Sequence, residues 1–156
     1  MSETIEAGRA AAILMETLST TFADMAFIDV EPMREGSMPP ATDGPAPLRV
    51  AIDVLKPVSC RLEIECPASL KRRIDETLFQ GEGEGQNQED SLLELLNVAA
   101  GVFLTAYFGA GADIKLELPQ YLFFSDGSEG EILAEASGDA EGEALHAALR
   151  SIRYRY

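Results

Sequence analysis

Apolar residues recur at helical spacing along the start of the chain: Ile5, Ala12, Met15, Leu18, Phe22 and Met25, with no Gly or Pro after Gly8. The pattern predicts a helix over 3–26. Phe27-Ile28-Asp29-Val30-Glu31 then alternates as a strand that ends at Pro32. Val50, Ile52 and Val54 alternate next, followed by Cys60, Leu62, Ile64 and Cys66 against Arg61, Glu63 and Glu65. A turn at Lys56-Pro57 makes these two strands a hairpin, with both cysteines on the apolar face as small core residues. Pro67 opens a short helix, PASLKRRIDETLF. A second long helix is expected from about Gln88 to Phe108, ending at Gly109 and Gly111. A strand over 113–118 stops at Pro119, and Tyr121 to Phe124 extends it past a kink. Residues 132–135 and 144–154 read as a closing hairpin around a Gly/Asp/Glu turn. The run EALHAALRSI also fits a helix, since Ala and Leu favour one.

The two halves resemble each other. ADMAFIDVEP ends the first long helix, and AGADIKLELP follows the second. Read as a duplication, each half is a long helix and three strands, with the short helix between. The expected fold is α+β: one mixed or antiparallel sheet, both long helices on one face, and a pseudo-twofold axis between the halves.

The second long helix holds the candidate chemistry. From Leu92 to Phe108 nearly every residue is apolar, so it should be buried on most sides. The exceptions are Asp90, Glu94, Asn97, Gly101 and Thr105, which line one narrow face. That strip offers a carboxylate, a carboxamide and a gap at Gly101, where glycine in a helix costs about 1 kcal/mol against alanine. Other readings fit the same residues. Ser91-Leu-Leu-Glu94 matches a capping box, Gly101 suits close helix packing, and Asn97 needs only water around it.

The length of 156 residues is that of one domain, 1–156, with mobile loops about 33–46 and 81–88. Lys+Arg 12 against Asp+Glu 27 leaves −15, which argues against nucleic acid and anionic membrane as partners. No segment is read as a membrane helix, and the acidic residues before the first apolar run do not fit a signal peptide. A cytoplasmic setting follows from the two cysteines, which form neither a disulfide framework nor a zinc site. His146 reads as a surface or satisfied core residue. Lys71-Arg72-Arg73 and Arg150, Arg153 and Arg155 are small basic patches, read as solvated faces.

Asp90, three residues, Glu94, two residues, Asn97 and then Pro119 resembles the active-site signature of the CheC/CheX/FliY phosphatases of bacterial chemotaxis. That signature is Asp or Ser, three residues, Glu, two residues, Asn, 22 residues, Pro; this chain has 21 residues in the last gap. The opening helix running into AFIDVEP is also similar to CheX-like proteins. The first helix places Ser19 where the signature needs Asn, after Glu16, so the resemblance is to the one-site, CheX-like arrangement. It implies a hydrolase that removes phosphate from the aspartyl-phosphate of a CheY-like response-regulator receiver. Asn97 would then orient the attacking water and Glu94 would pair with the receiver's lysine. Asp90 and Gly101 would border the partner. No intrinsic cofactor is implied, magnesium belonging to the receiver, and a homodimer fits the resemblance. The same fold without turnover would be a module that binds a receiver or a flagellar-switch component.

Overall fold

The computed structural model describes residues 5–33, 46–78, 90–122 and 130–152. Among these described residues three helices and seven strands follow in the order α1 (Ala7–Ala26), β1 (Val30–Pro32), β2 (Leu48–Lys56), β3 (Cys60–Cys66), α2 (Ala68–Leu78), α3 (Ser91–Phe108), β4 (Lys115–Leu116), β5 (Gln120–Tyr121), β6 (Ile132–Ala140) and β7 (Glu143–Ser151). The expected loops at 33–46 and 81–88 fall outside the described residues except for Met33 and Ala46. Phe123, Phe124, Arg153 and Arg155 also lie outside them.

The strands form one sheet in the order β1-β6-β7-β3-β2-β4, with β5 also on β2, and every pairing is antiparallel. The α+β expectation holds in its antiparallel form. α1 packs on β6 and α3 on β2, while α1 and α3 touch each other and α2 touches both. The two long helices thus lie on one face. They run antiparallel: Arg9, near the start of α1, donates to the carbonyl of Tyr107 near the end of α3 at 2.9 Å, and its guanidinium sits 4.5 Å from that ring's centre.

Period-two alternation decides which side chains meet the helices. Ala136, Ala147, Ile64, Val50 and Tyr121 stand in one row across the sheet, on the helix side. Ser137, His146, Glu65 and Arg49 form a row on the opposite side. That second face is ionic. Arg49 and Arg150 both reach Glu63 Oε1, at 3.1 and 3.2 Å, Arg61 pairs with Asp53 at 2.7 Å, and His146 meets Glu135 at 3.2 Å. Arg150 is therefore engaged within the fold rather than freely solvated. So are Lys71, paired with Asp75, and Arg73, paired with Glu141 and Glu143.

Several elements differ from the pattern read in the sequence, each for a physical reason. The buried side of α1 is Ala10, Leu14, Thr17, Leu18, Thr21, Phe22 and Ala26, with Ala12 exposed. The run AAAIL is apolar in every phase, and the threonines that turn inward look polar. Residues 27–31 alternate in burial as expected, yet only Val30–Pro32 pairs as strand. Phe27 is taken up in ending α1: its φ is 55°, and Ile28 N–H bonds back to Phe22 O at 3.2 Å. Strand 113–118 shrinks to β4, because Pro119 separates it from β5 and β2 shifts register between Val54 and Lys56. The closing hairpin is a true hairpin, so EALHAALRSI is strand and not helix. β6 is longer than expected because Gly138 is no turn residue. A Cβ there would lie 2.7 Å from Val30 Cγ1, so glycine lets β1 and α1 settle on the sheet. The turn itself is Glu141-Gly142, with φ of 52° and 95°.

α3 is the one described helix long and apolar enough to cross a membrane, contrary to the reading that no segment is. Half of it is buried within the fold, as befits a core helix.

Cys60 and Cys66 are core residues as expected, and burial pushes both thiols up to about 12. Only the thiolate attacks disulfides. Neither cysteine should react with a disulfide reagent at pH 8 in the native protein, and both should react in denaturant. Titration with and without guanidinium measures this; a rapid native reaction would show the sheet's helix side to be open.

Candidate functional site

α3 fixes the site because its flanks have nowhere else to go. Leu92, Leu95, Leu96, Ala99, Ala100, Phe103, Leu104 and Tyr107 are buried among the sheet, α1 and α2. Glu94, Asn97 and Thr105 face solvent, Gly101 is half-buried between them, and Leu93 is half-buried rather than buried. Among the described residues no side chain hydrogen-bonds or pairs with Glu94 or Asn97. The expected strip is present, with its carboxylate and carboxamide pointing outward and unspent. It is also wider than its polar residues. Val102 and Ala106 are exposed and Val98 half-buried, so an apolar shoulder runs beside the polar line. The sequence pattern hides this, because apolar residues on a mostly buried helix read as core.

Asp90 stands at the N-cap. Its Oδ1 accepts from the N–H groups of Leu92 at 3.0 Å and Leu93 at 3.3 Å. Its Oδ2 accepts from the Tyr121 hydroxyl at 2.6 Å and lies 3.8 Å from Lys71 Nζ. Lys71 also donates to Asp75 Oδ2 at 2.7 Å, and the hydroxyl of the buried Ser91 donates to Asp75 Oδ1. The capping box read from Ser91 and Glu94 is therefore corrected. Ser91 is one residue inside the helix and bonded to α2, and Glu94 has no capping contact. Burial, then the Asp90 contact, raises the Tyr121 phenol, which stays protonated. Burial works to lower Lys71, but the bonds and charges of Asp75 and Asp90 outweigh it and hold the ammonium above its ordinary value.

In the sequence Lys71 was read only as part of a solvated basic patch and Tyr121 only as a strand residue, and Asp75 was not singled out. They come from α2 and β5, and no spacing along the chain announces that they meet at the head of α3. Ser19 is half-buried and Glu16 exposed on α1. Among the described residues nothing packs against Gly101, since a Cβ there would meet nothing within 4 Å. Among the described residues no group of His, Cys, Asp or Glu is arranged to hold a metal ion.

No family profile and no curated protein matches this chain. Solved structures do. A CheX chemotaxis protein from Desulfovibrio desulfuricans aligns with a TM-score of 0.68 at 10% identity, covering 90% of this chain and 97% of that one. CheX from Vibrio vulnificus gives 0.65 at 15% identity, covering 91% and 98%. A CheX–CheY–BeF3–Mg2+ complex from Borrelia burgdorferi gives 0.58 at 15% identity, covering 89% and 95%. The fold is that of the CheX, CheC-like and FliY chemotaxis proteins.

Two substitutions test the strip as structure. Gly101→Ala should raise stability by up to about 1 kcal/mol, since alanine is the better helix former and has room. Glu94→Ala should change stability by less than about 0.5 kcal/mol, as surface changes without a fixed partner do. Urea midpoints measure both. A loss of a kcal/mol or more for Glu94→Ala would restore a capping role.

Proposed function

We propose that this protein is a CheX-like phosphatase that hydrolyses the aspartyl-phosphate of a CheY-like response-regulator receiver in the cytoplasm. The observation that carries the reading is the outward, unpartnered pair Glu94 and Asn97 on a helix buried on its other sides. The fold shared with CheX proteins, one of them solved with CheY, supports it.

The chemistry suits the pair. An acyl phosphate is already labile, so hydrolysis asks mainly for a water held in line with phosphorus. Water attacks, the bond from phosphorus to the aspartyl oxygen breaks, and inorganic phosphate leaves a free carboxylate. Asn97 can both donate to and accept from that water, and it does not titrate. Glu94, one turn nearer the helix start, would pair with the receiver's lysine and fix the register. Magnesium would be the receiver's own. Gly101 and Val102 continue the strip away from Asn97 and leave room for a close partner, and Asp90 marks its rim.

The halves also support a duplication. Exchanging β1 with β4, β2 with β6 and β3 with β7 turns the sheet order into its own reverse, and α1 and α3 run antiparallel above it. Within that repeat only α3 carries Glu and Asn together, which favours one site over two.

Asn97→Ala should lower kcat about a hundredfold while the complex still forms. Glu94→Ala should weaken receiver binding, with the larger loss at low salt, where screening is least. Single-turnover loss of phosphate from an acetyl-phosphate-labelled receiver, together with binding at two salt concentrations, measures both. If wild type and Asn97→Ala both leave the receiver's own rate of phosphate loss unchanged, the protein binds receivers without hydrolysing them; if both raise it equally, Asn97 is not the catalytic residue.

Ser19→Ala should leave turnover near normal, because a hydroxyl lacks the reach and the donor–acceptor pair of a carboxamide. The same assay checks this. A large fall at unchanged affinity would make α1 catalytic.

A further inference from the structure

We infer that Tyr121 and Lys71 are positioning residues for Glu94 and Asn97, acting through the second oxygen of Asp90. The inference rests on the proposed phosphatase reading for its catalytic consequence, and on the geometry alone for the anchoring.

Glu94 and Asn97 are the fourth and seventh residues of α3, which begins at Ser91. They stand in its first two turns, where helices fray. Water positioning tolerates little of that, since a functional group must be held to about half an ångström. The head of α3 is secured from outside the helix. Asp90 divides its carboxylate: Oδ1 caps Leu92 and Leu93, and Oδ2 is turned to Tyr121 and Lys71. Tyr121 belongs to β5 and is paired in register with Val50 of β2, so its hydroxyl ties the cap to the sheet. The contact of 2.6 Å between a phenol and a carboxylate is a short, charge-assisted bond. Lys71 ties the same oxygen to α2 and is itself held by Asp75, which also receives the Ser91 hydroxyl. Sheet, α2 and α3 thus converge on one carboxylate directly before the catalytic pair. Capping needs only Oδ1. The second oxygen makes no bond within α3, so its contacts serve to orient the helix rather than to start it.

Two variants separate these jobs. Tyr121→Phe keeps the ring and removes the hydroxyl. Asp90→Ser keeps an N-cap and removes the second oxygen. In each, hydrogen exchange of the amides from Leu92 to Val98 should quicken several-fold while amides of α1 and β3 stay unchanged. In each, kcat for dephosphorylation should fall about tenfold, with the KM for phosphorylated receiver changing less than twofold, as expected for a displaced attacking group. The double variant should be no worse than Asp90→Ser alone, because that change already removes the oxygen that Tyr121 bonds. A merely structural role predicts exchange that quickens over the whole fold, a lower melting temperature and an unchanged kcat, and that result overturns the inference. So does an additive double variant, or unaltered exchange at the head of α3. If wild-type protein does not dephosphorylate the receiver, the phosphatase reading fails, and the exchange measurements alone decide whether the anchoring stands.

Discussion

The burial of α3 governs this structure. A helix with leucine, alanine and phenylalanine around most of its circumference is stable only where sheet and neighbouring helices cover it. Each fully buried large apolar side chain contributes roughly 1.5–3 kcal/mol, and α3 buries several. Four strands of the sheet, β2, β3, β6 and β7, run long enough to set its two faces by alternation, and the face with Val50, Ile52, Ile64 and Leu149 receives the helices. α1 and α2 then close the sides of α3. What is left uncovered is one strip, and its direction follows from where the apolar flanks are not.

A buried helix is also a rigid mount. The far end of α3 is locked to α1, because the Tyr107 hydroxyl accepts from the Glu6 N–H at 2.8 Å while Arg9 takes its carbonyl and its ring face. The near end is locked by the divided Asp90 carboxylate. Between these ends the helix has little freedom to slide or roll. That suits a site whose contribution is geometric. A carboxamide supplies no nucleophile and no proton of useful acidity, so its value lies in where it is held.

Much of this was readable from the chain, and the limits have definite causes. The strip on α3 was legible because its polar residues interrupt an otherwise apolar helix at intervals of one turn. Strands β2 and β3 were legible because they alternate cleanly. α1 was placed correctly and Leu18 and Phe22 are buried as its spacing suggested, but Ala12 is exposed and Ala10, Leu14, Thr17 and Thr21 are buried instead, since three alanines in a row carry no phase and the threonines turn inward. Gly138 was taken for a turn because glycine serves tight turns and close approach alike, and only the packing of Val30 above it tells them apart. The capping-box reading put the cap one residue late, on Ser91 instead of Asp90. Both residue types cap helices, and the choice depends on Asp75 of α2 claiming the serine. That the tyrosine and lysine hold Asp90 was invisible for the same reason: contacts between distant elements leave no periodicity.

The two long helices, alike in placement, differ in a way that bears on why the proposed site falls on one of them. In α1, which begins at Ala7, Glu16 and Ser19 are the tenth and thirteenth residues, deep in the helix and held by its own backbone ladder. Its N-cap residue, Glu6, makes no side-chain capping bond. In α3 the corresponding pair is close to the helix start, where the backbone alone would let it move. There the chain places a capping aspartate and connects its spare oxygen to sheet and helix. The half without the carboxamide lacks the anchored cap, and the half with it has both. A pair near a helix end gains an open approach, which suits the proposed receiver, at the expense of fraying. The contacts of Asp90 with Tyr121 and Lys71 remove that expense without covering the strip.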